Sequence, residues 1–517
     1  MIDRRDWKRS LGLPLLGVPA LLAALGLLAA TTGGIGIYPD SVMYIMMARS
    51  LLQGRGWTLE GIPVEVFPPL YPSLLALTGL FGTDPVSGAR CLQAAIWAVN
   101  LFWIGCLTYR FSGKSLTAAL FASILALGAV DLFAYHTVAL SDGAFLLFFL
   151  PALLAIDRYL EGGSMGYLVC SALLTALAAV TRYAGIAAIA AGVLVILYLG
   201  RKPLRSRFVH ALTFGLMSFA PAGLWMLRNM QYQHPMGRSF DLHGFLGEPE
   251  VSGLFHAASA WFFQWKIEDA WWMTIPLFML LGLLTLWNWR PDPNRTGEEA
   301  LRARLIMTYM ALYVILLILS AAFFQADLFR DSSRLMMPFH ILFLVLVITS
   351  AHQWLKRTGN LLTRIVAAIV CSAIAFLVLT TGVQYARKIS GDGQGYAAKA
   401  YRNSEVIART RSIPPDVTVY TNLELPIVLY TGRIPYMIPL KINNSTQRPN
   451  ETYGAEMKSM AADIRDSSAL LVYFKRTPGW YVLPTLEEIR ETVPLRSIAE
   501  LNDGGLYEAI PDTTGHQ

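Results

Sequence analysis

Apolar runs long enough to cross a bilayer recur along most of this chain, and the polar residues gather between them. A spanning helix needs about 20 predominantly apolar residues. Runs approaching or meeting that length lie at 11–30, 91–109, 116–133, 142–158, 166–181, 184–200, 208–227, 273–289, 305–322, 335–353 and 364–383. They predict an α-helical polytopic membrane protein with about eleven transmembrane helices.

The polar connections set an orientation. Lys and Arg gather in alternate ones: Arg4 to Arg9, Arg110 with Lys114, Arg158, Arg201 to Arg207, Arg290 to Arg304, and Lys356 to Arg364. The connection near 131–142 has neither. Basic connections mark the cytoplasmic side, so the N-terminus is expected inside and, with an odd number of spans, the C-terminal region outside. The basic start "MIDRRDWKRS" also has the form of a signal peptide. The run at 11–30 is long enough to span and shows no clear small-residue cleavage site, so it reads as the first transmembrane helix.

Three outer regions are large. The first, 31–90, holds an amphipathic segment, Ser41 to Gln53, and then "EVFPPLYPSLLALTGLFG". Interfacial helices are expected there, separated by the Pro68–Pro69 pair, because proline lacks a backbone donor and fixes φ. The second, 228–272, is rich in Trp, Phe and His, which suits a membrane interface. The third is the C-terminal region. Its runs "VTVYTN", "ALLVYF" and "GLYEAI" have strand character, and "TLEEIRETV" has a helical pattern. The expected organisation is a transmembrane domain over 1–384 and a small α/β domain on the outer face over 385–517. No internal repeat stands out, which counts against a transporter of duplicated halves.

Composition narrows the class. The chain is 55% hydrophobic and 15% charged, with a mean hydropathy of +0.46. A soluble chain of this length would carry more charge. The net charge of +7 follows from the topology and does not call for a nucleic-acid partner. Cys91, Cys106, Cys170 and Cys371 lie in or beside apolar runs without a CxxC pair, so neither a disulfide framework nor a zinc site is expected.

Asp40, Asp131, His136, Asp142, Arg182, Arg330, Asp331 and Arg334 all fall at the outer ends of predicted helices. Acids and arginines on one face suit an anionic substrate and a base acting together. Helix ends are also where a membrane protein tolerates charge. Asp40 is well placed to cap a helix starting at Ser41. It also shares one helical face with Tyr44 and Ala48, four and eight residues on. Spacing alone leaves cap and site equally open.

The stretch "DSVMYIMMARSLLQG", Asp40 to Gly54, continuing into "FPPLYPSLLALTGLFG", Phe67 to Gly82, resembles the first outer loop of membrane glycosyltransferases of the GT-C fold. "ALSDG" at 139–143, "AAVTRYAGIAA" at 178–188 and "SSRLMMPFHILFLVL" at 332–346 resemble later segments of that family. The chain resembles bacterial relatives of protein O-mannosyltransferases and of the lipid A aminoarabinose transferase.

The resemblance implies a polyprenyl-phosphate-linked sugar as donor, and a glycan, lipid or protein acceptor in the envelope of a bacterial cell. It implies Asp40 as the base that takes the acceptor's proton, in an inverting direct displacement. Arg334, with Arg330 nearby, is implied as the phosphate-binding cation, Arg182 as a further one, and Arg90 as a basic position of the family. Tyr44 belongs to the first-loop pattern. Asp142 would orient the acceptor or hold a divalent metal with Asp40, assisted by His136; no metal ligand set is assigned. The chain departs from the family at Phe67, where the aminoarabinose transferases carry Lys, at Tyr183 for Pro, and at Leu335 for an aromatic. The Phe67 departure argues against aminoarabinose or lipid A specificity. The alternatives are a lipid-linked-sugar transporter or flippase, and a non-catalytic envelope assembly factor.

Overall fold

The computed structural model describes residues 14–59, 61–80, 82–232, 271–289, 297–324, 332–442, 449–466, 468–477 and 480–510. The chain divides into two compact units, Met1–Ile35 with Met43–Gly391, and Gly36–Val42 with Asp392–Gln517.

The first unit is built on helices. α1 (Gly17–Ala30) and α2 (Pro39–Leu52) precede a short antiparallel hairpin, β1 (Thr58–Leu59) and β2 (Ile62–Pro63), and then α3 (Leu70–Gly79). Next come α4 (Pro85–Phe111), α5 (Leu116–Gly128), α6 (Val130–His136), α7 (Asp142–Gly162), α8 (Met165–Thr181), α9 (Gly185–Leu199) and α10 (Leu204–Asn229). After these come α11 (Trp271–Trp289), α12 (Gly297–Phe324), the single turn α13 (Ser332–Leu335), α14 (Met337–Thr358) and α15 (Leu361–Asp392).

Over the described residues, each apolar run of the sequence falls largely on helix. Their lengths differ, however. Six helices (α4, α7, α10, α12, α14 and α15) are long and apolar enough to cross a membrane, and α5 with α6 makes a seventh if counted as one span bent by 65°. The runs at 166–181 and 184–200 form helices of only 17 and 15 residues, α8 and α9. The break between these two is tight. A Cβ on Gly185 would lie 2.4 Å from the Cα of Ala179, so only glycine lets α9 start against the end of α8.

Local chemistry sets several starts. Asp84 caps α4 by accepting from Val86 N at 2.9 Å, with Pro85 at the first helical position. Ser115 caps α5 through Ala118 N at 3.3 Å. The start of α2 corrects the sequence reading. The helix opens at Pro39, and Asp40 lies inside the first turn rather than at the cap. Ser41 Oγ instead accepts from Tyr38 N at 3.1 Å. Proline is pre-organised for the first helical position and needs no donor partner there, which moves the start two residues earlier, from Ser41 to Pro39. The first loop thus contains two helices, α2 and α3, with a hairpin between them that the sequence pattern did not announce.

The second unit is a five-stranded mixed sheet with helices. In chain order it contains α16 (Lys399–Arg402), α17 (Glu405–Thr410), β3 (Thr418–Thr421), α18 (Glu424–Thr431), β4 (Tyr436–Met437), α19 (Tyr453–Arg465), β5 (Ala469–Phe474), α20 (Leu486–Thr492), β6 (Leu495–Glu500) and β7 (Gly504–Ala509). The strand order is β4-β3-β5-β7-β6. β4, β3 and β5 run parallel, and β7 pairs antiparallel with both β5 and β6. Two apolar clusters hold it together. Met457, Met460, Ile464, Leu471 and Ile489 form one; Val406, Ile407, Ile427, Val472 and Leu506 form the other. Asn422 ties the sheet by donating to Phe474 O and accepting from Phe474 N, both at 2.8 Å. Gly36–Val42 joins this unit by backbone bonds: Tyr396 N donates to Ile37 O at 2.7 Å, and Ile37 N to Gln394 O at 3.3 Å.

Candidate active site

Of the polar groups flagged at helix ends, Asp142, Arg182, Arg334 and His136 come together at the start of α7 in the first unit. Asp142 occupies its first turn and is 5% exposed. Arg182 Nη1 lies 2.6 Å from Asp142 Oδ1, and Arg334 Nε lies 2.9 Å from Oδ2. Arg182 comes from the extended break after α8, and Arg334 from the single turn α13. Three segments far apart in sequence therefore meet at one carboxylate. Each carboxylate oxygen has its own guanidinium, which is the charge-assisted geometry that makes such contacts strong. Both arginine side chains are largely buried, so the pairing also supplies the compensation that buried charge requires.

A layer of buried polar groups fixes this carboxylate. Tyr44 Oη lies 2.9 Å from the Oγ of Ser141, the residue before Asp142. The Tyr44 ring stands edge-on to Phe67 and Tyr71, with centroids 4.8 and 5.0 Å away. Gln93 Nε2 reaches Tyr71 Oη at 3.0 Å and the carbonyls of Val138 and Leu140 at 2.9 and 2.7 Å. That clamps the loop leading into α7. Asn100 Nδ2 donates to Gly143 O at 2.8 Å and to His136 Nε2 at 3.0 Å. His136 Nδ1 lies 2.7 Å from Leu132 O. This network assigns the neutral imidazole with its proton on Nδ1 and Nε2 as acceptor. His136 is fully buried against Trp97, and both ring nitrogens are engaged with protein. A Cβ on Gly143 would lie 2.9 Å from the His136 ring, so the close approach of α6 and α7 requires glycine there.

Arg334 is held from a fourth direction. Tyr313 Oη, on α12, donates to Leu335 O at 2.6 Å and secures the turn that carries Arg334. The first outer loop is secured as well. Asn229 Nδ2 and Arg228 Nη1 donate to the carbonyls of Glu65 and Val64, both at 3.1 Å. Tyr183 Oη, where the family has proline, donates to Glu65 O at 3.4 Å.

The remaining sequence candidates lie elsewhere. Arg90 donates through Nη2 to Leu28 O at 2.7 Å and through Nε to Thr31 Oγ1 at 3.2 Å. It thereby satisfies carbonyl and hydroxyl groups at the end of α1, where helix geometry leaves acceptors unpaired. Asp131 pairs with His340 Nδ1 at 2.8 Å, away from Asp142 in the bonding network. Asp40 is half-buried in the first turn of α2 and belongs with the second unit. Arg330 and Asp331 lie outside the described residues. Among the described residues, no group of three or more His, Cys, Asp or Glu is arranged to hold a metal ion.

Sequence reasoning missed Gln93, Asn100 and Tyr313. Gln93 and Asn100 did carry a signal. They are uncharged polar residues inside an otherwise apolar span, facing inward and fully buried, where an amide must find partners.

No known family profile matches this chain, and neither does any curated protein sequence. Solved structures do resemble it. ArnT from Cupriavidus metallidurans bound to undecaprenyl phosphate aligns at a TM-score of 0.61 and 14% identity, over 98% of this chain and 99% of that one. A mutant of the arabinofuranosyltransferase AftD from Mycobacteria aligns at 0.57 and 14% identity, over 97% of this chain and 42% of that one. The archaeal oligosaccharyltransferase AglB from Archaeoglobus fulgidus, in complex with an inhibitory peptide and a dolichol-phosphate, aligns at 0.51 and 12% identity, over 90% and 70%. All three are membrane glycosyltransferases of the GT-C fold, and this chain shares that fold.

Proposed function

We propose that this protein is an integral-membrane glycosyltransferase. It transfers a sugar from a polyprenyl-phosphate-linked donor to a glycan, lipid or protein acceptor at the outer face of the bacterial inner membrane. The observation that carries this reading is the pair of arginines converging on Asp142 at a helix end, within a fold whose solved examples include a complex with undecaprenyl phosphate. Arginine suits phosphate because its planar donors match two oxygens at once. In this reading the chain makes eleven crossings, and the region 385–517 stands outside.

The reaction is a single displacement. The acceptor's hydroxyl oxygen attacks the anomeric carbon while the bond from that carbon to the phosphate oxygen breaks. The polyprenyl phosphate leaves with the electron pair, Asp40 takes the hydroxyl proton, and the anomeric configuration inverts. Arg182 and Arg334 stabilise the charge that grows on the departing phosphate. Asp142 fits a positioning role better than a proton-accepting one, because each of its oxygens already accepts from a guanidinium. His136, with both nitrogens occupied, fits the same supporting part.

The test is transfer of radiolabelled sugar from a polyprenyl-phosphate donor by the purified full-length protein. Asp40→Asn is expected to abolish transfer while expression and membrane insertion stay at wild-type levels. Retained transfer in that variant removes Asp40 as base. Sugar movement across a vesicle membrane without a new glycosidic bond favours a flippase, and neither outcome favours an assembly factor.

A further inference from the structure

A cavity of about 1170 Å³ in the first unit lies away from Asp142, between α5, α14 and α15, with Leu281 of α11 also lining it. Phe121 and Leu125 of α5, Val347 and Ala351 of α14, and Ala368 and Ile374 of α15 line it. Its shape follows from one contact. α5 and α15 cross closely at Gly128 and Gly382, where a Cβ on Gly382 would lie 2.8 Å from Gly128 O. Away from that crossing the two helices leave the groove between them. Of α15, only Gly382 and Ile389 are buried, so a long apolar helix stands off its neighbours along most of its length. Apart from Thr117, His352 and Ser372 the side chains between its ends are mainly apolar, so within a bilayer an aliphatic chain suits it.

The ends of the groove say what that chain carries. At one end lie Lys356 and Arg364, both exposed, neither in an ion pair among the described residues. At the other lies His340, held by Asp131 at 2.8 Å. An anionic headgroup is drawn to the first end and opposed by the carboxylate at the second. The Lys356–Arg364 connection is also one of the basic segments that mark the cytoplasmic face. Basic pockets between transmembrane helices on that face are sites for anionic lipid headgroups.

We propose that this groove is a binding site for an anionic phospholipid of the inner leaflet, its phosphate between Lys356 and Arg364 and its chains along α5 and α14. The lipid fills the gap left by the standing-off of α15 and fixes that helix against the rest of the unit. The site is separate from the donor chemistry at Asp142.

Native mass spectrometry of the full-length protein, titrated with phosphatidylglycerol or phosphatidylcholine, reads this directly. Phosphatidylglycerol is expected to bind preferentially. Each basic side chain at the headgroup is worth about fivefold, so Lys356→Gln with Arg364→Gln should weaken phosphatidylglycerol by about thirtyfold. Ala368→Trp, which fills the groove without removing either basic side chain, should also remove the adduct. A phospholipid carrying a photoreactive acyl chain should label peptides from α5 and α14 in the wild type. Equal binding of the two lipids, or unchanged affinity in the charge variant, overturns the site. Displacement of phosphatidylglycerol by undecaprenyl phosphate would assign the groove to the polyprenyl chain and overturn the phospholipid.

Discussion

Replacing Asp142 by Asn keeps the side chain's shape and removes its charge, which isolates what the carboxylate does for the two arginines. The pairs measure 2.6 and 2.9 Å, and the three side chains are all largely buried. Coulomb attraction for such a contact is about 4 kcal/mol per pair at an effective dielectric near 20. Desolvation offsets much of that gain in the wild type. Removing one partner does not restore it, because the other charge stays buried; the measured cost of such a deletion is about 3–5 kcal/mol. Asp142→Asn, which strands two guanidinium groups, is therefore expected to destabilise the protein by an amount in that range. Arg334→Gln removes one of the stranded charges. If Arg334 and Asp142 act as a unit, the double variant will be more stable than the sum of the single losses predicts, by about 1–3 kcal/mol. The assay is reversible unfolding of the full-length protein in mixed micelles, run as a double-mutant cycle beside sugar transfer. Losses that add to within about 0.5 kcal/mol would refute the coupling, and with it the claim that Asp142 holds Arg334 in place.

Gly143→Ala places a methyl group 2.9 Å from the His136 ring. Overpacking of that kind costs about 1–3 kcal/mol, and a melting point unchanged from wild type would show that α6 can move aside. Glu424, in the first turn of α18, has its carboxyl pushed above the usual range by burial. A folded-state value above the unfolded one gives a contribution that is present at low pH and lost as pH rises through the folded value. Glu424→Gln should therefore slow hydrogen exchange in β3 and α18 at neutral pH, with the difference from wild type shrinking as pH falls toward the carboxylate range. A difference that grows on acidification would reverse the sign and refute the assignment.

The helices of the first unit were legible because apolar runs in a membrane protein report helix directly. The runs at 166–181 and 184–200 became the short helices α8 and α9, and the tight approach of Gly185 to Ala179 that separates them has no signature in hydropathy. In the second unit the runs "VTVYTN", "ALLVYF" and "GLYEAI" mark β3, β5 and β7. β4 is two residues long, too short for any periodicity to show. β6 alternates poorly because most of its side chains are exposed. Asp142, Arg182 and Arg334 could each be singled out as charges at helix ends. Their meeting could not, since Arg334 is 192 residues from Asp142 along the chain and nothing local links them. The attachment of Gly36–Val42 to the second unit is equally non-local. It is made by backbone groups of Ile37 with Gln394 and Tyr396, which carry no side-chain signature.

α7 contains its own control for the reading of Asp142. Fifteen residues on, about 22 Å along the helix axis, Asp157 is again buried and again takes a guanidinium on each oxygen, Arg110 at 2.8 Å and Arg302 at 3.2 Å. There the similarity ends. The Asp157 network also includes Glu161, Glu298 and Arg158, so three cations meet three acids. Such a cluster is complete as a staple between α4, α7 and α12, and an added anion would be repelled from it. Around Asp142 the described ion pairs bring two cations to one acid. The proposed function places the phosphate of the lipid-linked donor at Arg182 and Arg334. It also predicts that Asp157→Asn perturbs stability without altering the KM for the lipid-linked donor, whereas Arg334→Gln raises that KM. A donor KM that responds equally to both variants would place the substrate charge elsewhere.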